Sequence, residues 1–399
     1  NSLMKEYHEV CESILKRRNL SLSQAELEIL KAAPENYLPA QRLLGMQAFN
    51  EGDYAEAVWR TGIVWRVAPN GESASNHVSA LYRARRYADA IALAEHPKTP
   101  LEPTLRAAFL SELHGALGHH AENKQWGRRA LVLKEREARI LARPPEIKLS
   151  QFNPETPERN IISFSLYGKG LRYLEGAVRN AIVIRHLYPG WTARFYVDAS
   201  VPIATKQTLQ GEGAEIKEVP KLPAAKYGLF WRFLVEDDRD VDLYLVRDVD
   251  SVPTLREAVA VRDWLASGKP FHVMRDYRTH SELILAGLWG AHRGNVPQMG
   301  QRILNFVRAR DGILNSRVTD QLFLRREVWP FMRDRAFVQD SVFNFKASAP
   351  FDPRFPLPQN MHVRQDDFAA RMALRVAKSK ELTQTRAVRP TSSKEFPLS

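Results

Sequence analysis

The chain carries one cysteine, Cys11, in 399 residues. No internal disulfide can form, which sets aside bridge-held secreted scaffolds and fits a reducing, cytoplasmic setting. It contains no apolar run near the roughly 18 residues that cross a bilayer, and Asn1 to His8 has no signal-peptide core, so no transmembrane segment is expected. No Gly-x-Gly-x-x-Gly follows the first strand-like run, and Gly-x-x-x-x-Gly-Lys-Ser/Thr is absent. Dinucleotide oxidoreductases and P-loop enzymes are thereby disfavoured. RNA-recognition signatures, zinc fingers and helix-turn-helix patterns are also missing, so no nucleic acid partner is expected.

What is present is an ordinary globular balance, 44% apolar and 26% charged, over a length that suits two or three domains. The formal charge is +12, from 58 basic and 46 acidic residues. Part of that excess lies in 371–399, where Arg371, Arg375, Lys378, Lys380, Arg386, Arg389 and Lys394 stand against Glu381 and Glu395. With its Ser/Thr/Pro-rich end, this stretch reads as a solvated, partly disordered tail. Peripheral contact with the inner membrane surface is the second use of such charge.

Residues 1–145 read as a helical repeat domain. Leu44-Gly45 and Ala48-Phe49 fall in one helix, Gly52-Asp53-Tyr54 makes a turn, Ala57 lies in the next helix, and Pro69-Asn70 ends the unit. Tyr54 and Ala57 return as Tyr87 and Ala90, and Gly52 returns two periods later as Gly118. The pattern resembles the tetratricopeptide repeat, in which small residues let paired helices approach. A divergent unit upstream is suggested by Pro34-Glu35-Asn36. Repeats of this kind imply a groove for a partner protein or an acceptor, the alternative being a packing appendage. His114, His119 and His120 have no thiolate or carboxylate at ligand spacing and read as surface residues of the helix turn.

Prolines at 144, 145, 154 and 157 mark a linker over 146–157. Beyond it, in 158–370, strands alternate with helices. Ile161–Leu166, Arg194–Asp198, Ala214–Val219, Asp242–Val246 and Phe271–Asp276 read as strands, and 171–188, the stretch from Pro202 and the residues around Phe230–Val235 as helices. That alternation predicts a mostly parallel sheet covered on both faces, with ligands outside the carboxyl ends of the strands. Tyr167 and Gly168 follow the first strand, where a nucleobase or phosphate could be held or an ordinary turn made.

Three Asp-x-Asp pairs crowd one region. Asp238/Asp240 and Asp240/Asp242 lie in a polar segment and look like a solvated loop. Asp248 and Asp250 directly follow the apolar run Leu243–Val246, so both can face a divalent cation that bridges diphosphate oxygens, unless they merely stabilise a turn. Around them stand Tyr227-Gly228-Leu229-Phe230-Trp231-Arg232-Phe233, Ala286-Gly287-Leu288-Trp289-Gly290 and Asp320-Gln321-Leu322. Phe230, Trp231 and Trp289 could stack on sugar or base, though core packing is the commoner use.

In this order of motifs, residues 158–368 resemble metal-dependent glycosyltransferases of the GT-A fold, in particular the retaining bacterial galactosyltransferases and glycogenin-like enzymes. The resemblance implies a Rossmann-like α/β GT-A domain preceded by the all-α TPR-like domain. It implies Arg232 as the arginine that steadies donor and metal-binding carboxylates, Asp248 and Asp250 as metal ligands, and Gly287 as the glycine beside the sugar. Asp320 and Gln321 match the pair under the anomeric carbon. His362 is placed as third metal ligand, with Asp340 its competitor, and Arg275 joins Arg232 in adding positive potential. Ala286 and Leu322 depart from the family pattern, which has Asn and Asp there. The implied cofactor is a divalent cation, Mn2+ or Mg2+. The implied donor is a nucleotide-diphosphate sugar, a UDP-sugar first, with a glycan or protein hydroxyl as acceptor and retention as the outcome. The alternative is a non-catalytic TPR adaptor with a degenerate transferase domain.

Overall fold

A turn between two helices needs a residue that leaves helical geometry without strain and one that caps the next helix. Gly52 and Gly118 supply the first, with φ of 80° and 77°. Asp53 supplies the second, accepting the Glu56 amide at 3.2 Å. The computed structural model describes residues 2–17, 21–219, 222–310, 319–358 and 360–387. The chain divides into two compact units, 1–134 and 135–399.

The first unit is built from paired helices: α1 (Ser2–Leu15), α2 (Gln24–Lys31), α3 (Leu38–Glu51), α4 (Tyr54–Val67), α5 (Gly71–Arg83), α6 (Tyr87–Glu95), α7 (Pro103–Ala116) and α8 (His120–Glu137). Asn70 and Ser73 form a reciprocal capping box at α5, both bonds 2.9 Å. Ala57, Ala74 and Ala90 are fully buried and let neighbouring helices close on Val78, Leu81, Leu110 and Leu113. The period seen in the sequence therefore corresponds to α3/α4, α5/α6 and α7/α8, with α1/α2 as the upstream pair. His114 departs from the expected surface position. It is buried, its Nδ1 lies 3.1 Å from His119 Nδ1, and Glu95 stands 3.5 Å from its Nε2.

The second unit carries a seven-stranded sheet of β1 (Asn160–Leu166), β2 (Thr192–Val197), β3 (Glu215–Glu218), β4 (Leu243–Val246), β5 (Phe271–Arg275), β6 (Trp289–His292) and β7 (Ala336–Asp340). Their spatial order is β3-β2-β1-β4-β6-β5-β7. All pairings are parallel except those of β6, which runs antiparallel to β4 and β5. The sheet is thus mixed. Its helical segments are α9 (Leu171–Leu187), α10 (Ile203–Gly211), α11 (Ala224–Tyr227), a 3-10 stretch Gly228–Asp237, α12 (Leu255–Ser267), α13 (Met299–Arg308), α14 (Thr319–Phe323), a π turn Leu324–Val328, α15 (Trp329–Met332) and α16 (Asp367–Ala387).

Strand alternation sorts two faces. Ile162, Phe164, Leu166, Leu243 and Leu245 pack with Ala177 and Ile184 of α9 and Trp264 of α12. Tyr244 points the other way, edge-on to Trp289 at 5.6 Å, and Trp289 in turn meets Phe233. Phe230, Phe233, Phe306 and Phe323 complete that second core. Phe230, Trp231 and Trp289 are accordingly core residues.

Two expected boundaries look different in the fold. The presumed linker is bonded along the second unit, with the Lys148 amide on Asn295 Oδ1 and the Ser150 amide on His292 Nδ1, both at 2.9 Å. Of the tail expected to be solvated and partly disordered, 371–387 continues α16, while 388–399 lie outside the described residues. Among the described residues no helix is long and apolar enough to cross a membrane.

Candidate active site

From β1 the chain builds outward through β2 and β3, then crosses to the opposite side of β1 with β4. Strand order therefore reverses between β1 and β4, and the carboxyl ends of those two strands bound a crevice. The serines of β1 decide what stands over it. Facing away from Ile162 and Phe164, Ser163 Oγ donates to the Arg232 carbonyl at 2.6 Å and Ser165 Oγ accepts the Arg232 amide at 3.0 Å. The 3-10 stretch is thus pinned at both backbone groups of one residue.

Arg232 is buried, with the Phe233 ring 5.6 Å from its guanidinium carbon. It donates to the Asp248 carboxylate, to the Arg247 carbonyl at 3.1 Å, and to Asp320 Oδ2 at 2.9 Å. One guanidinium so joins the end of β4 to the first turn of α14. Asp320 is held there by Phe323, which stacks on Phe233 at 5.8 Å, and its Oδ1 accepts the Gln321 amide at 2.9 Å.

The loop after β4 is clamped from below. Asn180 of α9 donates to the carbonyls of Val249 (2.9 Å) and Ser251 (3.0 Å). Arg364 donates to Asn180 Oδ1 and to the Asp248 carbonyl, each at 2.9 Å. The Ser251 hydroxyl also bonds the Asp248 carbonyl, at 2.7 Å. Asn180→Ala leaves a buried guanidinium short of a partner and two carbonyls without a donor. It is expected to lower stability by about 2–4 kcal/mol in urea unfolding, with the loop loosened.

Gly287 lies against this loop. A Cβ there would meet Asp248 Oδ2 at 2.2 Å, so no other residue fits without moving the carboxylate. Between the loop, Ser165, Tyr167, Tyr173, Leu229 and Arg232 lies a cavity of about 180 Å³ with Asp248 and Asp250 in its wall.

Charge in that wall is divided unevenly. Burial pushes the Asp248 carboxyl up, but Arg232, helped by Arg364 and Arg247, holds the group below its ordinary value. Asp250 is raised by burial and by Asp248, with Arg172 opposing and Asp366 adding. Burial likewise raises Asp320, against Arg232. Arg172, more than half exposed, reaches Asp250 at 2.9 Å and Asp366 at 3.9 Å.

The structure brings Arg232, Asp248, Asp250, Gly287, Asp320, Gln321 and Tyr167 into one neighbourhood. It does not bring the others. Arg275 is fully buried and engaged with Asp340 (3.4 Å) and the carbonyls of Glu282 and Leu283, so its charge is used inside the fold. His362 stacks on Tyr277 at 4.3 Å and meets His280 edge-on, not the aspartate loop. Asp340 organises its own turn through the amides of Val342 and Phe343. The Gly168 amide is taken by Ser200 Oγ at 2.6 Å. Asp238 and Asp242 are ion-paired with Arg194 and Arg159, at 2.8 and 2.7 Å, rather than freely solvated. Ser163, Ser165, Arg172, Asn180, Arg364 and Asp366 were not singled out by the motifs. Only the two serines leave a sequence signal, as polar residues alternating with bulky apolar ones.

Among the described residues no three His, Cys, Asp or Glu side chains are grouped to hold a metal. Asp248 and Asp250 nevertheless fit a cation of the magnesium type, which takes one or two carboxylates and completes its shell with phosphate oxygens and water. Burial and then Asp248 raise Asp250, and a cation between the two carboxylates would oppose both effects, as Arg172 at 2.9 Å already does in part.

No protein-family model and no curated protein matches the chain. Among solved structures it is similar to a variant of the O-GlcNAc transferase of Thermobaculum terrenum, at 17% identity and a TM-score of 0.37, over 60% of this chain and 46% of that one. The chain spans less than half of that protein's length. A superposition this loose assigns neither fold nor chemistry, which leaves the cavity's own residues to carry the functional reading.

Proposed function

We propose that the chain is a metal-dependent GT-A glycosyltransferase, moving a sugar from a nucleoside-diphosphate donor, a UDP-sugar first, to a hydroxyl of a glycan or protein. The observation that carries this reading is the Arg232 guanidinium shared between Asp248 and Asp320 at the crevice where strand order reverses. Asp248 and Asp250 would hold a divalent cation, which would supply charge against the departing diphosphate. Arg232 fixes both carboxylates in place before the reaction, so no reorganisation is needed as charge develops. Asp320, bonded to Arg232, and Gln321 beside it are the residues this reading assigns to the electron-poor anomeric carbon. Tyr167 and Tyr173 wall the cavity and exclude water from the donor. Retention follows the motif order only. The helix pairs of the first unit offer the acceptor, or a partner that presents it, a groove.

The test is thermal unfolding with manganese and UDP together and separately. Together they should raise the midpoint by about 5 °C at saturation. An adaptor with an unused cavity would show no shift with any nucleoside diphosphate.

A further inference from the structure

Arg172 carries its charge in an awkward place. It sits in the first turn of α9, where the helix dipole disfavours a cation, and that turn has no acidic residue to offset it. The guanidinium instead leaves the helix for Asp250, at 2.9 Å, and Asp366, at 3.9 Å. The fold presents both carboxylates to it. The Asp250 carbonyl accepts the Asp367 amide at 2.9 Å and Ser251 bridges antiparallel to Asp366, so the loop after β4 and the start of α16 run side by side. The arginines that clamp the same loop differ in kind. The side chains of Arg232 and Arg364 are 5% and 2% exposed, and each is bonded to Asp248, through its carboxylate or its carbonyl. That of Arg172 is 57% exposed, with the Tyr173 ring 6.0 Å from its guanidinium carbon, so water competes for it and its ion pairs are weak. Asp250 therefore lines the cavity with a cation on it that can leave.

We infer that Arg172 is a displaceable counter-ion, which keeps Asp250 occupied until the donor arrives and so makes divalent cation and nucleoside diphosphate bind together. While Arg172 stays on Asp250, a cation entering alone meets like charge and finds one carboxylate engaged. Expelling Arg172 into water gives the guanidinium no new partner. A diphosphate supplies one, since its oxygens suit a guanidinium as well as a carboxylate does, and Asp250 is then free to join Asp248. Diphosphate without a cation leaves Asp250 bare, so neither is held well alone. Each then raises the affinity of the other by one common factor, as linkage requires. The inference rests on Asp248 and Asp250 as the cation's ligands, and on neither the sugar nor the acceptor.

The experiment is titration of the full chain with Mn2+, with and without saturating UDP, reading the electron paramagnetic resonance of the free ion. The wild type should bind Mn2+ weakly alone and at least about tenfold more tightly with UDP. Arg172→Gln should bind Mn2+ alone about tenfold more tightly than the wild type, and UDP should then add little. Arg172→Lys should fall between, and Arg185→Gln, the same change further along α9, should match the wild type. A merely structural ion pair would move the melting temperature and leave the coupling between the two ligands intact. Mn2+ affinity in Arg172→Gln equal to or below that of the wild type, undiminished coupling in that variant, or an equal gain in Arg185→Gln would overturn the inference. Each of these would leave the transferase reading standing, provided the wild type binds Mn2+ with UDP. No Mn2+ binding by wild type or Arg172→Gln, with or without UDP, would overturn both.

Discussion

Asp248→Asn and Asp250→Asn should each lower metal-dependent donor turnover by roughly a thousandfold, while Asp238→Asn leaves it at the wild-type level. All three are aspartates of Asp-x-Asp pairs within thirteen residues. Only the first two line the cavity. Asn keeps the shape of the side chain and removes the charge that a cation needs, so the loop clamped by Asn180 and Arg364 should stay in place. Asp238 accepts from the buried Arg194, which keeps Glu215 at 2.8 Å, so its loss should cost only about 1–2 kcal/mol of stability. The measurement is the initial rate at saturating manganese, paired with a melting curve for each variant. Equal rates in all three variants would remove Asp248 and Asp250 from the chemistry.

Arg232→Ala should lower turnover about a hundredfold, the scale of losing one preorganised electrostatic contact. It should also make stability depend on pH in a defined direction. In the wild type Arg232 holds Asp248 below its ordinary value and opposes the rise of Asp320. Without it both folded-state values move up. A carboxyl raised on folding adds stability that is full below its unfolded value and is lost as pH rises through the folded one. The stability gap between variant and wild type should therefore be widest at neutral pH and narrow toward the acid range. Arg232→Lys should fall between, since an ammonium cannot form the paired bonds of a guanidinium. Urea unfolding across pH, beside the rates, reads both effects. A normal rate with only a stability loss would recast Arg232 as a structural residue.

How much of this was legible depended on how local the cause was. Asp248 and Asp250 stood out because they lie just beyond an all-apolar run, Leu243 to Val246, with only Arg247 between, and that run is the central strand β4. Arg232 was visible through its aromatic neighbours, which the fold uses as core. Asn180 and Arg364 were not visible, because the bond from Arg364 to the Asp248 carbonyl spans 116 positions and an Asn inside a helix looks neutral. His362 shows the limit of motif order: it places a residue near a loop but not its ring, which Tyr277 and His280 claim. Strand β6 was hidden by Gly290 and Ala291, poor strand formers whose state is set by lying between β4 and β5. The helix over 371–387 was not legible while 371–399 was weighed as one composition. The first part of that stretch, rich in Ala, Leu, Arg and Lys, has helix-forming residues throughout.

The most direct measurement is release of free nucleoside diphosphate from a panel of nucleotide sugars by the full chain, with manganese and with chelator. At least one donor should be turned over with the ion present. That release should vanish with chelator and in Asp248→Asn. A folded wild-type protein that releases nothing from any donor, or releases it equally with chelator and from Asp248→Asn, would contradict a metal-dependent glycosyl transfer at this site.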